Sequence, residues 1–200
     1  GSLISIEGYL GLGKHAVPVE WLYTPESANV AGMPQILAFA RENVESAEAL
    51  AKPFDPQFRL VYTGGCALPE MPGKLAIIVD LQNYITYVIG SDYFGESKKG
   101  ALRMLCDFAY KQGGLVMHAG AKVVKRGNES TSMAVMGLSG AGKTTTTFSK
   151  QGDFTAPVQD DMICLWPNGE YSVTENGCFA KTWDLKPETE QALRAALRAF

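Results

Sequence analysis

The sequence has no broad excess of positive charge: 18 Lys and Arg stand against 21 Asp and Glu, for a formal net charge of −3. A nucleic-acid-binding face of the usual basic kind is therefore not expected, and any anion has to be held by a local arrangement. No apolar run approaches the roughly 20 residues that cross a bilayer, so no transmembrane helix is expected. The opening Gly1-Ser2-Leu3-Ile4 lacks a basic segment leading into an apolar stretch, which predicts no signal peptide; Gly1-Ser2 reads as a cloning remnant. The four cysteines, Cys66, Cys106, Cys164 and Cys178, show no Cys-x-x-Cys spacing. They read as reduced thiols of a cytoplasmic protein rather than as a disulfide or zinc framework. Repeats and low-complexity tracts are also missing.

What is present is the balance of a globular core, 46% hydrophobic and 20% charged residues in a chain of 200. That length suits one domain or a large piece of a bigger protein. Apolar positions Ile36, Leu37, Ala40, Val44, Ala47 and Leu50 recur at helical spacing and predict a helix from about Pro34 to Lys52, stopped by Pro53. Strands are expected over Arg59–Thr63, Leu75–Val79 and Tyr84–Ile89, the last two forming a hairpin across Asp80–Asn83. Lys99–Tyr110 reads as an amphipathic helix ended by Gly113-Gly114. Leu115–Val124 and Ser132–Met136 read as strands joined by a polar loop, Lys125–Thr131. Asn168-Gly169 is a two-residue hairpin turn between Asp161–Trp166 and Glu170–Thr174. Gly8-Tyr9-Leu10-Gly11-Leu12-Gly13 has no strand-then-helix context and reads as a plain loop rather than a phosphate loop. The segment Pro187–Phe200 looks helical and stops without a cap or polar tail, the ending of a truncated chain.

The strongest chemical signal is Gly137-Leu138-Ser139-Gly140-Ala141-Gly142-Lys143-Thr144, which fits the phosphate-loop pattern G-x-x-x-x-G-K-[ST] in full. Glycines let successive backbone N–H groups turn inward around phosphate oxygens without a Cβ in the way. A helix following from about Gly142 points its positive end at the same anion. Lys143 reaches the β- and γ-phosphates, and the Thr144 hydroxyl is a ligand for Mg²⁺. Thr145 adds a further hydroxyl, whereas Thr146 and Thr147 read as packing or capping residues.

The flanks of this loop carry more information. In order come Tyr93-Phe94-Gly95-Glu96-Ser97-Lys98-Lys99-Gly100, Met117-His118, the loop through Thr145, Asp160-Asp161, and Glu175-Asn176-Gly177-Cys178-Phe179-Ala180-Lys181-Thr182. The series resembles the phosphoenolpyruvate carboxykinase family, and the Gly-Leu-Ser-Gly-x-Gly-Lys-Thr-Thr form of the loop resembles its ATP-using branch. About four-fifths of the chain is covered; residues 1 to about 35 do not align.

The resemblance implies an α/β fold with a mixed sheet and a P-loop. Residues 1–100 would be part of the N-terminal domain and residues 101–200 the start of the nucleotide- and metal-binding domain, the boundary falling between Val88 and Lys125. It implies decarboxylation of oxaloacetate and ATP-dependent phosphorylation to phosphoenolpyruvate in gluconeogenesis, with CO2 and ADP as products. It implies ATP, Mn²⁺ and Mg²⁺ as cofactors, and only small molecules as partners, with no nucleic acid and no membrane. By the same resemblance Lys99, His118 and Asp161 ligate Mn²⁺, the lysine as a neutral amine whose pKa a nearby dication and partial burial lower. Asp160 acts through the water shell of the second metal, Lys98 and Lys143 join the catalytic set, and Tyr93 lies near oxaloacetate. Glu175 is implied near the active site. Glu190 falls near a nucleotide-contacting glutamate, with a solvated helix face as its other reading.

Departures from the family pattern accompany these matches. Gln159 stands where a Gly usually precedes the Asp-Asp pair, Met162-Ile163-Cys164-Leu165-Trp166 replaces an acidic-His-Gly-Trp run, and Ala119-Gly120-Ala121 replaces Ser-Ala-Asn after the histidine. The family's Gly-Arg-Ser-Pro segment has no counterpart in residues 1 to 90, and an adenine-binding part is not found. Two rival readings stay open: a P-loop small-molecule or protein kinase, which has no need of Lys99 and His118 as ligands, and a non-catalytic nucleotide-sensing domain.

Overall fold

A computed structural model of the chain describes residues 2–138, 141–148 and 154–177. They divide into two compact units, Gly1–Gly114 and Leu115–Phe200.

The first unit is built on one mixed sheet. Its strands are β1 (Ile4–Leu10), β2 (Val17–Tyr23), β3 (Phe58–Thr63), β4 (Ala76–Asp80) and β5 (Ile85–Ile89), in the order β1-β2-β3-β5-β4. The inner three run parallel, and β1 and β4 pair antiparallel at the two edges. Strict alternation in β2 puts Val17, Val19, Trp21 and Tyr23 on the buried face, where they continue into Phe58, Leu60 and Tyr62 of β3 and Thr86 and Val88 of β5. Helices α1 (Ala28–Leu37) and α3 (Phe94–Lys111) pack with this sheet and with each other, and the short α2 (Ala47–Leu50) lies in the connection to β3. Each large side chain buried there is worth roughly 1.5–3 kcal/mol, so this face carries most of the unit's stability.

Several local expectations hold. Asp80 closes the β4–β5 hairpin as an Asx turn, its Oδ1 accepting from the N–H of Gln82 (2.9 Å) and of Asn83 (3.0 Å). Gly113, at φ 77°, ends α3 in a Schellman motif: Gly114 N–H donates to the Ala109 carbonyl (2.8 Å) and Gly113 N–H to that of Tyr110 (2.9 Å).

Other expectations give way. The helix predicted from Pro34 to Lys52 is broken into α1, a 3-10 turn at Arg41–Asn43 and α2. Pro34 sits inside α1, Ala38 is extended, and Phe39 exchanges two backbone hydrogen bonds with Tyr9 of β1 (2.8 and 3.0 Å), which removes it from any helix. Ile36, counted on the apolar face, is 72% exposed. The Gly8–Gly13 segment is only partly loop, because Gly8-Tyr9-Leu10 completes β1. Helix α3 begins at Phe94, not Lys99, so Lys98 and Lys99 lie within it.

In the second unit, β6 (Leu115–Met117), β10 (Ile163–Leu165) and β11 (Tyr171–Val173) form one three-stranded sheet, ordered β11-β10-β6. A second sheet is ordered β8-β7-β9, from β7 (Ala119–Arg126), β8 (Glu129–Met136) and β9 (Thr155–Gln159). The single strand expected over Leu115–Val124 is divided at His118, where the chain passes from one sheet to the other. The expected loop Lys125–Thr131 is instead a tight hairpin, with Arg126 paired to Glu129 and Gly127 at φ 60°. Asn168-Gly169 turns β10 into β11, with Gly169 at φ 82°. Helix α4 (Lys143–Phe148) follows β8 and packs on β7 and β9. The helix expected over Pro187–Phe200 lies outside the described residues.

Gly120 in β7 faces Thr147 of α4 so closely that a Cβ there collides with the threonine hydroxyl. Gly120→Ala is therefore expected to cost about 1–3 kcal/mol by overpacking, and Thr147→Ala in the same chain to recover most of it. Urea midpoints of the single and double variants check this. A second expectation concerns Glu45, whose carboxyl is held below its ordinary value by hydrogen bonds from the Arg41 guanidinium, 2.8 and 2.9 Å away. A depressed carboxylate pKa adds stability that is present above 4.5, the ordinary value, and lost as pH falls through the folded value. Acid titration of thermal stability should be steeper for the wild type than for Glu45→Gln.

Candidate functional site

Strand register brings the second unit's polar residues together. Met117 pairs with Ile163 across β6–β10, and Ala121 pairs with Gln159 across β7–β9. The link Asp160–Met162 therefore runs alongside His118–Gly120, where the chain changes sheets. Here the Nε2 of His118 lies 2.9 Å from Asp161 Oδ1, the imidazole 62% exposed and the carboxylate 21%. Next to this pair, the Thr144 hydroxyl donates to Asp160 Oδ2 at 3.0 Å, tying the first turn of α4 to the acidic dipeptide.

The glycine-rich segment lies between β8, which ends at Met136, and α4, which begins at Lys143. Among its described residues, a Cβ on Gly137 would stand a tight 3.0 Å from that of Ala141, Leu138 is 85% exposed, and Gly142 takes φ 89°, a conformation that favours glycine. The Lys143 ammonium donates to the carbonyls of Gly137 (2.8 Å) and Leu138 (3.3 Å). Thr145 is exposed. Ser139, Gly140 and Glu190 lie outside the described residues.

Glu175 is 3% exposed, and its Oε2 lies 3.4 Å from the Gln159 amide nitrogen. Tyr93, Lys98 and Lys99 belong to the first unit. Tyr93 is 66% exposed and precedes α3, its carbonyl accepting from the Tyr62 hydroxyl at 3.1 Å. Lys98 and Lys99 lie between two anchors of α3. Ser97 is fully buried, bonded through its hydroxyl to Tyr23 and through its carbonyl to Trp21 Nε1 (3.3 Å). The Gly100 carbonyl accepts from Thr86 (3.3 Å). Burial pushes the Cys106 thiol up, against the opposing pull of the Lys99 ammonium.

An imidazole nitrogen and a carboxylate oxygen converging at 2.9 Å form a donor pair suited to a divalent transition metal such as Mn²⁺. Among the described residues no group of three or more His, Cys, Asp and Glu is gathered, so from these residue types the set is two. Asp160 and the Thr144 hydroxyl are hard oxygen donors of the kind Mg²⁺ takes.

A family model described as phosphoenolpyruvate carboxykinase matches residues 27–200. The chain belongs to the ATP-dependent phosphoenolpyruvate carboxykinase family. Among similar proteins are the "Phosphoenolpyruvate carboxykinase (ATP), glycosomal" of Trypanosoma cruzi, 32% identical over 159 residues, covering 78% of this chain and 32% of the relative. Those of Leptospira biflexa (33% over 156 residues; 76% and 28%) and Zea mays (32% over 128 residues; 64% and 18%) carry the same ATP-dependent name. The chain thus spans about a third of the length of the curated relatives it matches. The match starts somewhat earlier than the resemblance read from motifs, which begins near residue 35. Among the described residues no helix is long and apolar enough to cross a membrane.

Sequence reasoning missed two residues at this site. Thr174, 1% exposed, gave no signal beyond ending a hairpin strand, and Gln159, fully buried, showed only as a departure from the family pattern. Contact between Thr144 and Asp160 is open to a direct check. In a double-mutant cycle of Thr144→Val and Asp160→Ala, the unfolding free energies should be non-additive by about 0.5–1.5 kcal/mol. Additive effects would mean that the two side chains do not interact.

Proposed function

We propose that this chain carries phosphate- and metal-binding machinery for decarboxylating oxaloacetate and transferring the γ-phosphoryl of ATP, giving phosphoenolpyruvate, CO2 and ADP in the gluconeogenic direction. The observation that carries the reading is the Thr144–Asp160 hydrogen bond beside the His118–Asp161 pair, which puts a candidate phosphate loop and a candidate metal pair on adjoining residues. Family membership supports the choice of reaction, and the relatives' names specify ATP.

Each residue's proposed part follows from its chemistry. Backbone N–H groups of Gly137–Gly142 and the Lys143 ammonium hold phosphate oxygens, the lysine exchanging its present carbonyl partners for the stronger charged acceptor. Thr144 and Asp160 orient Mg²⁺ and its water shell on the nucleotide. His118 and Asp161 would hold Mn²⁺; Lys99 is a further ligand implied by the family resemblance alone. Dications bound at these residues supply positive charge where the reaction accumulates negative charge on oxygen. Phosphoryl transfer needs little else from the protein than positioning and charge, which is what this residue set offers. Tyr93 and Lys98 are proposed on the substrate side, and Glu175 as a buried support. The reading places the protein in the cytoplasm with small-molecule partners only.

Lys143→Ala is expected to weaken ATP binding about tenfold to a hundredfold, the loss of a charge-assisted contact of roughly 1.5–3 kcal/mol, and to abolish phosphoenolpyruvate formation. The urea midpoint should hardly move, because the ammonium's hydrogen bonds to the Gly137 and Leu138 carbonyls are exposed and water can replace them. Calorimetric titration with MgATP measures the first effect. Unchanged ATP affinity would remove the loop from the mechanism, and Mn²⁺ binding that is the same in His118→Ala as in the wild type would favour a plain kinase site.

A further inference from the structure

Asp160 and Asp161 lie on a three-residue link, Asp160–Met162, between β9 and β10, and each has a partner outside it. A link so short, carrying two like charges side by side, has no regular secondary structure of its own to hold it. One threonine fastens the residues at both of its ends. Thr174, directly after β11, donates its backbone N–H to Gln159 Oε1 (2.8 Å), and its hydroxyl accepts from Gln159 Nε2 (2.7 Å). The same hydroxyl donates to the Met162 carbonyl (2.7 Å). The residues before and after the acidic pair are thus fastened to a single side chain. Gln159 is fully buried and Thr174 is 1% exposed, so these bonds compete with no bulk water. The remaining N–H of the Gln159 amide points to Glu175 Oε2 (3.4 Å), which leaves the amide no freedom to turn over.

We propose that Gln159 and Thr174 are positioning residues, a clamp that sets the directions of Asp160 and Asp161 toward Thr144 and His118. The claim rests on the metal-site reading above, and it extends to residues outside the proposed ligand set. A glycine at position 159, the residue of the family pattern, has no side chain with which to make the clamp. The outer partners of ligating carboxylates commonly change metal affinity 10–100-fold when removed, because they fix ligand orientation without touching the metal. The side-chain polar atoms of Gln159 and Thr174 are all hydrogen-bonded and buried, which favours a rigid clamp.

The test uses the whole 200-residue chain and Mn²⁺ itself, read by electron paramagnetic resonance as the free ion is taken up. Thr174→Val keeps the shape and removes the hydroxyl; it should weaken Mn²⁺ binding about tenfold or more. Gln159→Met should act in the same direction, and Thr174→Ser should restore wild-type affinity. A second measurement needs no metal: the coupling of His118→Ala with Asp161→Ala in chemical denaturation, expected in the wild type and lost in the Thr174→Val background. If the wild type takes up no Mn²⁺, the metal reading fails, and the clamp is still judged by this coupling. The clamp is overturned by coupling that is equal in both backgrounds or absent from both. Unchanged Mn²⁺ affinity in Thr174→Val also overturns it. So does failure of both variants to fold, since the network would then be structural alone.

Discussion

Antiparallel pairing of Met117 with Ile163, and of Ala121 with Gln159, is the constraint on which the second unit's chemistry depends. These two registers belong to different sheets, and the chain crosses between them twice, once at His118 and once along Asp160–Met162. Two crossings at the same level must lie side by side. A histidine at the first and a pair of aspartates at the second then meet without any long-range search, and a one-residue slip in either ladder would turn the side chains to opposite faces.

Helix α4 is seated by the same economy of space. Its approach to β7 needs the missing Cβ of Gly120, and the Lys122 ammonium, on a side chain only 7% exposed, donates to the Thr146 carbonyl at 3.0 Å near the helix end. Cationic charge at a helix C-terminus is favourable. The close packing is what lets Thr144, in the first turn, reach Asp160. In the first unit the corresponding device is the anchoring of α3 at Ser97 and Gly100. Tyr23, whose hydroxyl bonds Ser97, is raised well above the usual tyrosine range, chiefly by burial, so it stays protonated at physiological pH.

Much of the candidate site was legible because its signals are local. A phosphate loop is a run of consecutive residues, and Asp80–Asn83, Gly113-Gly114 and Asn168-Gly169 act on their own backbone. The β1–β2 hairpin was harder to read. Val17, Val19, Trp21 and Tyr23 alternate as a strand should, but Pro18 argues against an interior strand; its missing N–H is accommodated near the start of β2, where its carbonyl accepts from Gln57 (2.9 Å). The broken helix after Pro34 failed for a tertiary reason: Phe39 satisfies its backbone on Tyr9, 30 residues earlier by number.

By itself the sequence determined the residue types for phosphate and metal chemistry, their order along the chain and the branch of the family they resemble. Side-chain chemistry and short-range turn preferences need no fold to be recognised. Tertiary structure alone decided that Leu115–Val124 divides at His118, that Glu175 is buried, and that Thr174 grips both ends of the acidic link. Those outcomes depend on hydrogen bonds between backbones far apart in the chain, and no local pattern of residues encodes which distant strand will supply the partner.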